Sequence, residues 1–275
     1  MKLRSFIYWS AQTLFVRSFH FVYHLFTRMR ISFVIPAYNE ERRLPICLAA
    51  VERELSRTPC DAEVIVVNNA STDRTSEVAR TYSWVRVVDE PRKGLVRARH
   101  AGLMAATGEL IANIDADTML TEGWLGTVLA EFSKDEDLAA LSGPFIYYDL
   151  PAFHRGLTRL FYVAGYLSHL MNQHILRVGA MLQGGNFIVR RTHLEQAGGF
   201  DTSIEFYGED TDVARRISKV GKVKWTFRLP MYASGRRLAS EGIITMGLRY
   251  AGNYFHTLVR GKPLTETYTD IRDGV

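Results

Sequence analysis

The chain has 275 residues, of which 47% are hydrophobic and 23% charged, so disorder along the whole length is excluded and one large domain or two small ones are expected. Its formal net charge of +5 equals that of residues 1–30 alone, so the remainder is balanced and no nucleic-acid partner is expected. Two cysteines, Cys47 and Cys60, lack the spacing of a zinc site or a disulfide framework and suit a reducing compartment.

Residues 1–30 are predicted to form a basic, aromatic amphipathic helix. Polar residues recur every three or four positions from Ser10 to Arg28, so they would form a narrow stripe on an otherwise apolar surface. We expect this helix to lie in a membrane interface and to hold the protein at the cytoplasmic, inner face of a membrane. The alternatives are a helix packed on the chain's own body or on a partner subunit, and a spanning helix. In a spanning helix, Arg17 near the bilayer centre would cost about 2.5 kcal/mol or more.

From residue 31 onwards, short apolar runs alternate with helical segments. Strands are predicted over residues 31–36, 63–67, 84–88 and 109–114, and helices over 40–56, 72–80 and 94–106. Continuous apolar strands separated by helices predict an α/β fold with a mostly parallel central sheet flanked by helices. A later apolar stretch, residues 157–182, is predicted to pack as a core helix. The alternative is that it covers a lipid acceptor.

Polar clusters follow three of the predicted strands, at the ends where parallel sheets place their working residues. The clusters comprise Pro36, Ala37, Tyr38 and Glu40 after the first strand, Asn68 and Asn69 after the second, and Asp115, Ala116 and Asp117 after the fourth. The spacing of Asp115 and Asp117 lets both carboxylates turn toward one divalent ion, and such oxygen ligands suit Mg²⁺ or Mn²⁺. The alternative is that these aspartates cap helices or turns.

These clusters, together with motifs further along the chain, resemble glycosyltransferase family 2, a family of inverting enzymes that use nucleotide sugars. The resemblance rests on residues 32–41, 68–75, 115–117, 184–186, 198–201 and 208–212. It implies a GT-A fold, which is Rossmann-like. The nucleotide-binding half would cover residues 31–117, the acceptor half 118–235, and a helical extension 236–275. The family often has two aspartates where this chain has Asn68 and Asn69, so the base preference stays open.

For the donor, the resemblance implies that Tyr38 stacks on the nucleobase, that Glu40 faces the ribose and that Asn68 reads the base edge. The structural alternatives are a packed aromatic residue, a first-turn acid favoured by the helix dipole, and a turn former. The implied donor site is completed by Pro36, Ala37, Asn69, Asp115, Ala116 and Asp117, with Lys93 and Arg97 toward the diphosphate. Arg99 falls in the same basic stretch, which is also typical of a solvated helix.

Inverting transfer requires the leaving diphosphate to be neutralised and the acceptor to be deprotonated. A metal held by Asp117 and Asp115 would do the first, and a carboxylate near the acceptor would do the second. Asp210 is the predicted base, with Glu209 and Asp212 as alternatives; a helix-capping acid is the structural explanation for each. The residues predicted to orient their helix are Val213, Ile217 and Val220. The residues implied on the acceptor or sugar side are Gly184, Gly185, Asn186 and Glu209.

The resemblance thus implies metal-dependent transfer of one sugar from a nucleotide-sugar donor to an acceptor hydroxyl or phosphate. A glycan or a lipid-linked molecule at a membrane surface is the expected acceptor. The Gln-x-x-Arg-Trp motif of processive members does not occur in the sequence, which favours non-processive transfer. The alternatives are a nucleotidyltransferase and a non-catalytic sugar-nucleotide-binding protein.

Overall fold

The computed structural model describes residues 29–172, 175 and 180–265 of the chain. Most of the helix predicted for residues 1–30 therefore lies outside the described residues, as do residues 266–275 of the predicted C-terminal extension. Within the described part, no helix is both long and apolar enough to cross a bilayer.

A mostly parallel sheet forms the centre of the protein, as the alternating pattern predicts. Its strands are β1 (Ile31–Ala37), β2 (Ala62–Asn68), β3 (Val85–Asp89), β4 (Leu110–Ile114), β6 (Leu138–Ser142), β8 (Asn186–Arg190) and β9 (Lys222–Trp225). They lie in the order β3-β2-β1-β4-β8-β6-β9, and β8 runs antiparallel to both of its neighbours. A smaller sheet consists of β5 (Thr118–Leu120), β10 (Met231–Ala233) and β7 (Phe145–Tyr147).

Helices cover both faces of the central sheet. They are α1 (Leu44–Arg57), α2 (Thr75–Arg80), α3 (Leu95–Ala105), α4 (Trp124–Lys134), α5 (Ala152–Met171), α6 (Arg191–Gln196), α7 (Glu209–Ile217), α8 (Arg236–Glu241) and α9 (Ile243–Arg260). All residues of β1 and β4 are buried, and each strand carries apolar side chains on both of its faces, as is typical of parallel strands covered by helices on both sides. Phe33 faces a core shared with α1 and α4, whereas Val34 faces one shared with α3 and α7, because side chains alternate along a strand.

Two predicted helices begin later than their sequences suggest. The segment predicted from residue 40 becomes α-helical at Leu44, after a turn in which the amides of Arg43 and Leu44 both donate to the Glu40 carbonyl. The segment predicted from residue 72 begins at Thr75. There the Asp73 carboxylate accepts a hydrogen bond from the Thr75 amide at 2.9 Å, a local contact that competes with helix.

The prediction that Val220 orients the helix after the acidic motif is wrong. Helix α7 ends at Ile217, and the amides of Val220 and Gly221 both donate to the Ile217 carbonyl in a closing turn. Val220 is exposed, whereas Val213 and Ile217 are buried against the sheet. Two apolar positions rather than three therefore seat α7.

The prediction that residues 157–182 form a core helix is also wrong for one side of that helix. Tyr162 and Tyr166 of α5 pack beside Trp225, with ring centroids 6.0 and 5.6 Å away. On the opposite side, Leu160 and Leu167 are 64% and 61% exposed. Helix α5 therefore covers the body of the protein with one face only.

The described part of residues 236–275 contains α8 and α9, and α9 packs against both α5 and α7. Leu238, Ile243 and Met246 form a small apolar cluster with Leu150 and Tyr207. The division of the preceding chain into a nucleotide-binding half and an acceptor half stays a prediction.

Candidate active site

Three polar strand ends meet at one edge of the sheet because β1 lies between β2 and β4. Ala37 pairs with Asn68 at the end of the β1–β2 ladder, and β1 and β4 are parallel. The expected adjacency of the three clusters is therefore confirmed. Ala116 itself is buried in the core, so its side chain serves packing.

A pocket opens at the end of β1. Its lining residues are Pro36, Ala37, Tyr38, Asn69, Lys93, Gly94, Leu95 and Phe206. The Lys93 ammonium lies 4.0 Å from the centroid of the Tyr38 ring, an arrangement in which a cation faces an aromatic surface. Arg97 lies half-buried on the first turn of α3 beside this pocket.

Asn69 anchors the loop that carries Lys93. Its amide nitrogen donates to the carbonyls of Glu90 and Arg92 at 3.2 and 2.8 Å, and its amide oxygen accepts from the Gly94 amide at 2.8 Å. The side-chain amide of Asn68 donates a hydrogen bond to the Asp89 carboxylate at 2.9 Å. Both side-chain amides therefore donate local hydrogen bonds that aspartates could not donate, and those of Asn69 shape the pocket.

Arg236, at the start of α8, brings two predicted donor residues together. Its guanidinium pairs with the buried carboxylate of Glu40 and lies 3.0 Å from Asp117. The Glu40 carboxylate is thus turned toward α8, and its role at the ribose stays a prediction. Sequence reasoning missed Arg236 because it follows the last short strand, outside every motif.

Arg99 is the most deeply buried charge of the site. It is fully buried on α3, and its two terminal nitrogens contact the carboxylates of Glu209 and, at 3.1 Å, Asp115. The alternative of a solvated helix residue is therefore wrong for Arg99. A buried guanidinium is tolerable because two acids neutralise it.

The acidic motif starts α7, where helix N–H groups favour negative charge. Asp210 accepts hydrogen bonds from the amides of Gly184 and Thr211 at 2.8 and 2.7 Å, yet burial raises its pKa. Burial also raises the pKa of Glu209, to about 7; Arg99 opposes this shift and Asp210 adds to it. Two neighbouring acids of raised pKa are typical of functional sites.

Two glycines allow the donor edge and the acidic motif to approach each other. Gly185 adopts a φ of +77°, and a Cβ built on it would lie 2.1 Å from the Asp115 carboxylate. A Cβ on Gly184 would lie 3.0 Å from Glu209. The backbone of this turn therefore lies close to the carboxylates of Asp115 and Glu209, and its contact with the sugar stays a prediction.

Asn186, in contrast, lies in the core and not on the sugar side. It is fully buried at the start of β8 and accepts a hydrogen bond from the Trp124 indole at 3.1 Å. Its amide nitrogen donates to the carbonyls of Gly143 and Leu229, each at 3.0 Å. All its polar capacity toward the protein is used in fastening these loops, so the implied sugar contact is corrected.

The candidate ligands for a metal ion are the carboxylates of the two aspartates after β4, Asp115 and Asp117. Among the described residues, no three His, Cys, Asp or Glu side chains are grouped so as to hold a metal ion. Divalent ions such as Mg²⁺ are, however, commonly held by one or two carboxylates together with substrate phosphates. Asp115 and Asp117 therefore fit an ion that binds along with a diphosphate.

The sequence profile described as glycosyl transferase family 2 matches residues 32–198, well over half of the chain. The chain belongs to glycosyltransferase family 2. The match covers the three strand ends and the Gly184–Gly185 turn, whereas the acidic motif at Glu209 and Asp210 lies beyond it.

Characterised and uncharacterised members of this family resemble the chain over part of their lengths. An uncharacterised glycosyltransferase of Mycobacterium tuberculosis is 42% identical over 108 residues, which are 39% of this chain and 46% of that protein. A chondroitin synthase of Pasteurella multocida is 31% identical over 209 residues, or 70% of this chain. The chain thus spans about half of the first relative and 19% of the second.

Solved structures confirm that this family 2 chain has the GT-A fold. A mannosyltransferase from Pyrobaculum calidifontis, in complex with GDP-Man and Mn²⁺, superposes with a TM-score of 0.67 at 21% identity, covering 86% of this chain and 66% of that one. The glucosyl-3-phosphoglycerate synthase of M. tuberculosis superposes with a TM-score of 0.59 at 20% identity, covering 88% and 85%. At these identities the likeness concerns the fold alone.

Proposed function

We propose that this chain transfers one sugar from a nucleotide-sugar donor to an acceptor hydroxyl or phosphate, with inversion and with a divalent metal. The observation that carries the proposal is the buried Arg99, which joins Asp115 at the donor edge to Glu209 beside Asp210. A donor at the strand ends and an acceptor beside Asp210 would then meet across one guanidinium.

The nucleotide of the donor would occupy the pocket at the end of β1. Tyr38 would stack on the base, and Lys93 and Arg97 would face the diphosphate. The position of the Lys93 ammonium over the Tyr38 ring supports this arrangement, since it puts a cation and an aromatic face at one place. Proteins of similar fold have been crystallised with GDP-Man or UDP-Glc and Mn²⁺, which supports a nucleotide sugar as the donor class.

Asp117 and Asp115 would hold a Mn²⁺ or Mg²⁺ ion together with oxygens of the donor's diphosphate. The bound ion would supply positive charge against the leaving diphosphate. Arg236 now lies against Asp117 and Glu40. The Arg236 guanidinium therefore neutralises the Asp117 carboxylate, which is also the group that would bind the ion.

Asp210 would accept the proton of the acceptor. Its carboxylate is held by the Gly184 amide, directly beside the turn that approaches Asp115. Burial raises its pKa, and a carboxylate shifted toward neutral pH is a stronger base for an acceptor hydroxyl. Arg99 pairs with Glu209 and so leaves Asp210 as the better candidate of the two.

The acceptor would be a glycan or a lipid-linked molecule, and residues 1–30 would hold the protein at the cytoplasmic face of a membrane. The five basic residues and the aromatic content of that segment support interfacial binding.

Thermal unfolding in a panel of nucleotide sugars, each with and without Mn²⁺, tests the donor site. A donor at a hundred times its dissociation constant should add about 2.7 kcal/mol to the free energy of unfolding. Release of nucleoside diphosphate that requires an added acceptor would then identify transfer. No stabilisation by any nucleotide sugar, with or without Mn²⁺, would contradict the proposal.

A further inference from the structure

The outer sides of α5 and α9 together form an exposed apolar surface, which we call the α5–α9 face. Thirteen of the nineteen exposed large hydrophobic side chains among the described residues lie on or just after these two helices. On α5 and the residue that follows its last turn they recur at helical spacing: Phe153, Leu160, Val163, Leu167, Met171 and Ile175. The stripe on α9 comprises Ile244, Leu248, Phe255 and Val259.

The two stripes belong to one surface because the helices contact each other. The Phe161 ring of α5 closes over Gly247 of α9, where an added Cβ would lie 2.8 Å from it. Further along, Asn172 donates a hydrogen bond to the Tyr254 hydroxyl at 2.9 Å. An exposed apolar surface of this extent on a soluble body marks a site of contact with a protein or a membrane.

The charges on this face favour an anionic partner. Neither α5 nor α9 contains Asp or Glu, whereas they contain four arginines. Arg249 pairs with Glu241, but Arg159 of α5 and Arg260, the last residue of α9, are exposed. Apolar side chains flanked by arginines, without acids, complement the headgroup layer of an anionic bilayer.

The segment outside the described residues has the same chemistry. Residues 1–28 carry Lys2, Arg4, Arg17 and Arg28, no acid, and many aromatic residues. A basic, aromatic segment and a basic, apolar face in one chain are suited to one bilayer, since stable membrane attachment generally needs two signals.

The inner sides of the same helices support the acidic motif. Tyr162 of α5 donates to Gln183 at 3.0 Å, next to the glycine whose amide binds Asp210. Thr257 of α9 lies against Gly208, where an added Cβ would meet its hydroxyl at 2.7 Å. The helices that carry the face therefore also contact the turn and the glycine that adjoin the proposed base.

We infer that the α5–α9 face docks on the surface of an anionic lipid bilayer. This goes beyond the proposed function, which assigns membrane contact to residues 1–30, and docking itself requires no sugar transfer. A molecule embedded in that bilayer would be presented on the side of the protein where Asp210 lies.

Co-sedimentation of the full chain with phosphatidylcholine vesicles, with and without phosphatidylglycerol, tests the inference. Leu160→Glu combined with Leu167→Glu should lower partition into the anionic vesicles about tenfold or more for each leucine. The matched control combines Ile46→Glu and Met104→Glu, which are 51% and 71% exposed on α1 and α3, and should partition like the unaltered chain. Equal partition of the two variants, or no binding by the unaltered chain, would overturn the inference.

A fluorophore sensitive to polarity separates this face from residues 1–28. It would be attached at Leu167→Cys or, as control, at Met104→Cys, in a chain in which Cys60 is replaced by Ser. Anionic vesicles should shift the emission to the blue at position 167 and not at 104. Emission already blue at 167 without vesicles and unchanged by them would mean that the protein itself covers the face, and would overturn the inference.

Sedimentation velocity without vesicles distinguishes a second copy of the chain as the occupant. Self-association that is lost in the Leu160 and Leu167 variant, with vesicle binding retained, would overturn the inference in favour of a dimer. Asp210→Asn should bind vesicles normally. Vesicle docking and sugar transfer can therefore fail separately.

Discussion

At the scale of single residues, two arginines hold four carboxylates in place. Arg99 pairs with Asp115 and Glu209, and Arg236 pairs with Glu40 and Asp117. Each arginine thereby connects a strand end to a helix that follows much later in the chain. Removing one partner of such a buried pair generally costs about 3–5 kcal/mol because a charge is left uncompensated. Each of these carboxylates is therefore best replaced by its isosteric amide, Asp by Asn and Glu by Gln.

Asp117→Asn should abolish metal-dependent transfer while the fold persists, because Glu40 still pairs with Arg236. Loss of one metal ligand should weaken nucleotide-sugar binding in Mn²⁺ and change it little in a chelator. Calorimetric titration under both conditions measures the difference, and Asp137→Asn, an exposed carboxylate, is the control. Full activity across a Mn²⁺ titration would rule out the assigned metal ligand.

Asp210→Asn should retain donor affinity and lose transfer. The amide keeps an oxygen for the Gly184 amide but cannot take up a proton at neutral pH, and loss of a general base typically lowers the rate about 10²–10⁴-fold. Single-turnover transfer measures this step. A near-normal rate for Asp210→Asn, with a collapse for Glu209→Gln, would move the base to Glu209.

The matched variant is Asp212→Asn. Asp212 is buried and paired with Arg215 and Arg216 at 3.0 and 2.7 Å, away from the turn at Gly184. It should therefore lower the free energy of unfolding by about 2 kcal/mol and leave the rate of transfer nearly unchanged. A loss of transfer without loss of stability would contradict this structural role.

At the scale of elements, the turn before β8 determines how closely the two sides of the site approach. Gly185 is required there for two separate reasons, a positive φ and the nearness of Asp115. Gly123, the residue before α4, has nearly the same φ of +78°, but no described residue comes within 4 Å of a Cβ built on it. Comparing alanine substitutions at Gly185 and Gly123 therefore separates the effect of backbone strain from the effect of displacing Asp115.

Gly185→Ala and Gly123→Ala should each cost about 1 kcal/mol of stability from the left-handed backbone conformation. Only Gly185→Ala should also weaken donor binding in Mn²⁺, because the new methyl group displaces the Asp115 carboxylate. Thermal unfolding and donor calorimetry of both variants measure the two effects. Equal donor affinity of the two variants would show that the approach to Asp115 does not matter.

At the scale of the whole molecule, the sequence predicts strands β1 to β4 because buried parallel strands have continuous apolar sequences. It does not predict β6, β8 and β9 of the central sheet or the three short strands of the smaller sheet. It does predict which strand ends meet, since the connections between β1, β2 and β4 are helical. The partners of Arg99 and Arg236 could not be predicted, because residues 99 and 209, or 40 and 236, meet only through tertiary packing. The exposed side of α5 was missed for a related reason: hydrophobic spacing does not reveal whether a helix is covered on one side or two.

Residues 1–28 and the α5–α9 face should contribute differently to membrane binding. Four basic residues of the segment, Lys2, Arg4, Arg17 and Arg28, act through charge, and each is worth about 1 kcal/mol near an anionic surface. The leucines of the face act through apolar burial, which salt does not screen.

Replacing the four basic residues with Gln in the full chain should therefore weaken binding to phosphatidylglycerol vesicles strongly at low ionic strength. The difference should shrink as salt shortens the Debye length to about 8 Å at 0.15 M. The Leu160 and Leu167 variant should, in contrast, differ from the unaltered chain by a similar factor at every salt concentration. Salt titrations of vesicle co-sedimentation for both variants measure this. An equal salt dependence for the two would mean that charge on the segment does not steer binding and that the segment contacts the bilayer, if at all, through its aromatic residues.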